Sequence, residues 1–166
     1  MLKQISLASA LALMAGPASA SPELAELWGA KAATLAGDSA ALLDTARQGR
    51  QPALDEEYVI EVERFAFNAT RLGGWTQQAG IPSAIGCSFL SLGEAAEMEL
   101  EALEGARSAR ASADALNGLM SLFADARSLS AAAAWSARHP SGHPVALGTP
   151  AACPEMPARI NRVAVR

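Results

Sequence analysis

Residues 56–75, EEYVIEVERFAFNATRLGGW, contain the clearest periodic pattern in this chain. The apolar residues on one side recur in alternating steps of four and three, at Tyr58, Val62, Phe65, Ala69 and Leu72. This spacing places all five on one face of an α-helix, whereas a half-buried strand would alternate at every second residue. The pattern therefore predicts a helix, beginning near Asp55, that packs into a bundle along an apolar seam.

Three other segments carry the same kind of pattern. The first predicted helix begins at Ser21-Pro22-Glu23, which combines an N-cap, a proline at the first helical position and an acidic first turn. The third begins near Pro82 and ends near Gly105. The fourth runs from about Ser112 to His139-Pro140. Four helices with short connections predict an all-α fold, most simply an antiparallel four-helix bundle.

The apolar stripes of these three helices also step by three and four residues. They are Leu24, Trp28, Ala32, Leu35, Ser39, Leu42 and Ala46 in the first; Ile85, Phe89, Leu92, Ala96, Leu100 and Leu103 in the third; and Ala115, Leu119, Leu122, Ala126, Leu129 and Ala133 in the fourth. Gly73-Gly74 either ends the second helix or lets another backbone come close. Gly86 and Gly93, seven residues apart, predict a second place of close approach.

The N-terminus, MLKQISLASALALMAGPASA, has the pattern of a secretory signal peptide. Lys3 is followed by an apolar stretch, and Ala18-Ser19-Ala20 forms an A-x-A cleavage site. The apolar stretch is shorter than the roughly 20 residues that a transmembrane helix requires. We therefore expect residues 1–20 to be a signal peptide that is cleaved after Ala20, and no membrane span after cleavage. Residues 21–139 would form the helical domain and residues 140–166 a tail packed on it.

Composition indicates where the protein acts and which partners to exclude. The net charge is −4 at pH 7, which argues against nucleic acid as a partner, because proteins that bind nucleic acids carry basic patches. Arginine outnumbers lysine and alanine is abundant, as in proteins of GC-rich bacteria. Export then indicates the periplasm.

The two cysteines predict one disulfide. Cys87 lies in the third predicted helix and Cys153 in the proline-rich tail. An oxidising compartment favours pairing of two such cysteines. Closing a loop of this length would stabilise the fold by roughly 4 kcal/mol. We expect this disulfide to tie the tail back to the bundle.

The tail offers a second interpretation as a metal site. His139, His143, Cys153 and Met156 provide imidazole, thiolate and thioether ligands, a set that suits Cu(I). A periplasmic copper-binding protein is therefore the alternative function. Against it, Pro140 and Pro144 prevent a helix that would bring the two histidines onto one face. A disulfide would also remove the thiolate.

Known catalytic and cofactor motifs are absent from the sequence. There is no Cys-x-x-Cys-His haem motif, no Glu-x-x-His pair of a di-iron bundle, no Gly-x-Ser-x-Gly nucleophile and no phosphate-binding loop. We therefore expect no cofactor and no enzymatic activity. An enzyme with an unrecognised site stays a second alternative, because bundles can build sites from scattered residues.

Two exposed features of the predicted helices suggest binding. Ile60 and Phe67 are seven residues apart and point away from the seam of the second helix. Either the tail covers them through Val145, Leu147, Ile160 and Val163, or they form an interface with a protein partner or a second copy. The third helix has an acidic face, formed by Glu94, Glu97, Glu101 and Glu104, which we expect to be solvated. The alternatives are a docking surface for a basic partner, or a contact with the basic end of the chain at Arg159, Arg162 and Arg166. The most economical prediction is a non-enzymatic binding protein.

Overall fold

The computed structural model describes residues 21–140, which form four α-helices and no strand within that range. The helices are α1 (Pro22–Arg47), α2 (Glu56–Gln78), α3 (Ser83–Glu104) and α4 (Ala109–Arg138). The predicted all-α class and the number of helices are confirmed. Residues 1–20 and 141–166 lie outside the described residues, so the signal peptide, the tail and its contacts stay predictions.

Polar side chains fix where three of the helices begin. Ser21 accepts a hydrogen bond from the backbone N–H of Leu24, and Asp55 accepts one from Glu57, so α1 and α2 begin as predicted. The expected start of α4 near Ser112 is wrong, because the N-cap is Ser108. Ser112 is instead fully buried within α4, where its hydroxyl donates to the Ser108 carbonyl oxygen.

Neighbouring helices run antiparallel, because residues late on one helix contact residues early on the next. Trp28 on α1 reaches the carbonyl oxygen of Phe65, while Ser39, further along α1, reaches Tyr58, which lies earlier on α2. At the other side of the bundle, Arg138 at the end of α4 reaches Glu26 at the start of α1. Among neighbouring helices, contacts are most extensive between α1 and α4 and least extensive between α1 and α2. The α1–α2 seam is therefore the most loosely packed side of the bundle.

The centre of the bundle contains one aromatic side chain from each helix. Trp28 stacks on Phe65 with ring centroids 4.5 Å apart, and Phe89 meets Trp28 edge-on at 5.1 Å. Phe123 meets Phe65 edge-on at 5.0 Å. The indole N–H of Trp28 donates to the Phe65 carbonyl oxygen at 2.9 Å, so burial leaves its polar group satisfied. This cluster joins all four helices into one core.

Small residues bring α2 and α3 close together. A Cβ atom added at Gly73 would lie 2.8 Å from the side chain of Leu90 and 3.2 Å from the Gly86 carbonyl oxygen. One added at Gly93 would lie 3.0 Å from the Ala66 carbonyl oxygen. Gly73-Gly74 does not end α2, which continues to Gln78. The second of the two predicted roles, close approach of another backbone, is the one that the structure confirms at Gly73.

The helices of the bundle are amphipathic rather than apolar all round. Between residues 21 and 140, none of them has an apolar stretch long enough to traverse a bilayer.

Candidate functional site: the outer face of α2

The outer face of α2 presents an aromatic ring to solvent. Phe67 is 60% exposed, and Ile60, two helical turns earlier, is half-buried. The Arg71 guanidinium lies over the Phe67 ring, 6.0 Å from its centroid, and donates a long hydrogen bond of 3.5 Å to the Asn68 side chain. The prediction that Ile60 and Phe67 point away from the core is thus confirmed for Phe67 and holds in part for Ile60.

Charged residues of both signs border this apolar row. Glu63 is exposed and makes no ion pair with the described residues, whereas Arg64 donates to Glu61 at 2.6 Å. Glu61 also receives Lys31 of α1 at 2.6 Å. These two hydrogen bonds, that from Lys31 foremost, lower the pKa of the Glu61 carboxyl below its usual value of 4.5. Phe67 is therefore flanked, four residues away on either side, by one acidic side chain, Glu63, and one basic side chain, Arg71.

A groove of about 460 Å³ opens between α1 and α2, on the side where the helices pack least. Its polar lining includes Lys31, Asp38, Asp55, Glu57 and Glu61. Lys31 and Glu61 form an ion pair, and Asp55 caps α2, so three of these charged groups already have structural roles. The charged side chains that remain for a ligand, Asp38 and Glu57, are both acidic.

Tyr58 and Ser39 form a buried hydroxyl chain beneath the groove. Ser39 donates to the Leu35 carbonyl oxygen at 2.7 Å, so Tyr58, 2.8 Å away, must be the donor to the Ser39 oxygen. Burial raises the pKa of the Tyr58 phenol above its usual value of 10. Tyr58 therefore stays protonated at neutral pH and acts as a link between α1 and α2.

A second open groove, of about 490 Å³, lies where α4 ends beside the start of α1. Arg138 donates to both carboxylate oxygens of Glu26, at 2.5 and 3.0 Å, and this lowers the pKa of the Glu26 carboxyl. Trp135 stacks on His139 with centroids 4.7 Å apart. His139 Nδ1 lies 2.9 Å from the Trp135 carbonyl oxygen and, because a carbonyl oxygen can only accept, Nδ1 is the donor in this contact.

The predicted copper ligands are not brought together in the described part of the chain. Residues 21–140 contain no group of three or more His, Cys, Asp or Glu side chains placed to hold a metal. Of the four proposed ligands, only His139 lies in this range, whereas His143, Cys153 and Met156 lie outside it. The copper site therefore stays an alternative prediction.

Cys87 lies on the outward face of α3, one turn from its start, and is half-buried. Its predicted partner, Cys153, lies outside the described residues, so the disulfide stays a prediction. The acidic face of α3 is confirmed, because Glu94, Glu97, Glu101 and Glu104 are all exposed.

The sequence patterns did not reveal the ties between helices. Lys31, Glu61 and Arg64 form one network, and Arg138 joins α4 to Glu26. The i, i+3 spacing of Glu61 and Arg64 is visible in the sequence, but the reach of Lys31 across the groove depends on how α1 and α2 are aligned. No periodicity within one helix determines that alignment.

The comparisons with known proteins add no relative from which a role could be carried over. The chain matches no protein-family model, and no significant similarity was found to a curated protein or to a solved structure.

Proposed function

We propose that this protein is an exported, periplasmic helical bundle without catalytic activity, and that it works by binding another protein chain at the outer face of α2. The observation that carries the proposal is the 60% exposure of Phe67 on a helix whose other aromatic side chains are buried or half-buried. A Phe side chain contributes most to affinity when it leaves water for a partner's surface.

Other exposed apolar residues support this choice by contrast. Leu27 and Met98 are as exposed as Phe67, at 67% and 60%. Phe67 shares its face with Ile60, seven residues earlier, and of these three residues it is the one with an arginine placed over its ring. Such a combination of aromatic and arginine side chains is enriched at protein interfaces.

The absence of catalysis is proposed from the chemistry of the α1–α2 groove. General acid–base catalysis needs groups with a pKa near the working pH. Burial moves the pKa of Tyr58 upwards and ion pairing moves that of Glu61 downwards, so both move away from neutrality. The groove thus supports a structural role for these residues better than a catalytic one.

Site-specific photocrosslinking in the bacterium that produces the protein tests the binding face. A photoreactive phenylalanine analogue at position 67 should yield a covalent adduct with a second chain. The same analogue at position 98 is the matched control, because Met98 is equally exposed but lies on α3. Equal adduct yields at both positions, or none at position 67, would overturn the proposal.

A further inference from the structure

Resting on the proposed function, we propose that the chain bound at the outer face of α2 is a second copy of this protein, with the two α2 helices antiparallel and crossing at Phe67. In such a pair a two-fold axis places residue 67+n of one helix opposite residue 67−n of the other. A face can pair with itself in this way only if it is complementary to its own reverse. The outer face of α2 meets this condition at three levels.

The first level is charge. Glu63 and Arg71 are each four residues from Phe67, or about 6 Å along the helix on either side. They also flank Phe67 symmetrically around the helix, about 40° to either side at 100° per residue. Antiparallel pairing therefore places Glu63 at the height of Arg71 of the second copy, and does so twice. Parallel pairing would instead oppose like charges, which is unfavourable.

The second level is shape. Ile60 and Gly74 are each seven residues from Phe67, so the same axis places Ile60 opposite Gly74 of the second copy. The space above Gly74 is open, with no atom within 4 Å of where a Cβ would lie. A branched side chain on one helix thus meets a position without a side chain on the other.

The third level is aromatic contact. The two Phe67 rings, one from each copy, meet at the two-fold axis.

The charged groups can make these contacts without breaking the ties that they already have. A guanidinium has five N–H donors, so Arg71 can bind a carboxylate in addition to its partners within its own chain, among them the Asn68 side chain at 3.5 Å. Arg64, the other basic residue on this side, is already bound to Glu61 at 2.6 Å. The pairing therefore depends on Glu63 and Arg71, which are the two residues to exchange.

A charge-swap experiment on the exported full-length protein tests the pairing. The mass of the wild type is measured by sedimentation over a concentration series, because one helix pair is a small interface and associates weakly. We expect the wild type to reach a mass of two chains. Glu63→Arg and Arg71→Glu should each fall to the mass of one chain, since each opposes like charges twice. An equimolar mixture of the two variants should return to two chains, because every opposed pair then has opposite signs.

Two controls show whether a loss of association comes from the opposed charges or from damage to the fold. Each variant should keep the circular dichroism and melting temperature of a folded bundle, and Glu97→Arg on α3 should leave the mass at two chains. Failure of the mixture to associate would overturn the antiparallel pairing. A wild type that stays at one chain would also overturn it, and removal of residues 141–166 then shows whether the tail covers the face. A position-67 crosslink to a different protein would keep the proposed function and reject only the second copy.

Discussion

At the scale of single residues, the sequence predicted correctly which side of each helix faces the core. It was less successful at predicting which residue on that side is fully buried. Trp28, Phe65 and Phe89 were on the predicted stripes and are buried. In α4 the predicted stripe contained Leu122, but Phe123 is the fully buried residue and Leu122 is half-buried. Adjacent residues lie 100° apart on a helix, and the packing of the three other helices decides which of two apolar neighbours turns inwards.

Phe123 should be among the most costly residues to truncate. We expect Phe123→Ala to lower the free energy of unfolding by about 3–5 kcal/mol, because it leaves a cavity beside Phe65 at the centre of the bundle. Urea denaturation followed by circular dichroism measures this change.

Phe67→Ala is the matched control, since it makes the same substitution at an exposed position. We expect it to change the free energy of unfolding by about 0.5 kcal/mol or less at a concentration where the chain is monomeric. A similar loss for both variants would mean that Phe67 belongs to the core and would contradict its role as a binding residue.

At the scale of elements, helix ends and close contacts differ in how far the sequence determines them. Ser21 and Asp55 were readable as N-caps because each precedes an acidic first turn. The start of α4 could not be read from the sequence in this way, because Ser108 and Ser112 can each cap a helix. Ser112 is buried against Gln51 of the connection between α1 and α2, and this contact leaves Ser108 as the N-cap. At Gly73 the sequence left two roles open, and only the position of α3 selects one.

Gly73 should behave unlike an ordinary helical glycine. Alanine normally stabilises a helix by about 1 kcal/mol relative to glycine. At Gly73 we expect Gly73→Ala to lower the free energy of unfolding by about 1 kcal/mol instead, because the new methyl group would overlap Leu90 and press on the Gly86 carbonyl oxygen.

Gly37→Ala on α1 is the comparison for this effect, because no atom lies within 4 Å of the added Cβ. It should raise the free energy of unfolding by about 0.5–1 kcal/mol. Chemical denaturation of both variants measures the difference in sign. If Gly73→Ala stabilised the protein as much as Gly37→Ala, the close contact of α2 with α3 would be contradicted.

At the scale of the whole molecule, short connections were enough to predict antiparallel neighbours, since a few residues can only turn the chain back. They did not predict that α1 and α2 would pack least, which leaves the groove above Tyr58. They also could not reveal the contacts that tie the ends together, such as that between Arg138 and Glu26. Such contacts depend on how far one helix is shifted along its neighbour, and the periodicity of a single helix does not determine that shift.

The antiparallel order places the start of α3 and the end of α4 at the same end of the bundle, which bears on the predicted disulfide. Neighbouring helix axes lie roughly 8–10 Å apart. The chain from His139 to Cys153 can extend to about 46–50 Å. The tail is therefore long enough to bring Cys153 to Cys87, which lies at that end of α3, half-buried and on its outward face.

The intact mass of the exported protein, measured after alkylation under denaturing, non-reducing conditions, tests export and the clamp together. We expect a chain beginning at Ser21, two hydrogen atoms lighter than the reduced form and without label, because an oxidising compartment pairs two cysteines that can reach each other. Cys153→Ser should instead take up one label, at Cys87, and its free energy of unfolding should be lower by roughly 4 kcal/mol if the loop-closure entropy is lost in full.

Two labelled thiols in the wild type would contradict the clamp. Cys153 would then be able to act as a thiolate ligand, and Cu(I) binding by the chain, compared with that of a His143→Ala, Met156→Ala double variant, would decide the alternative function.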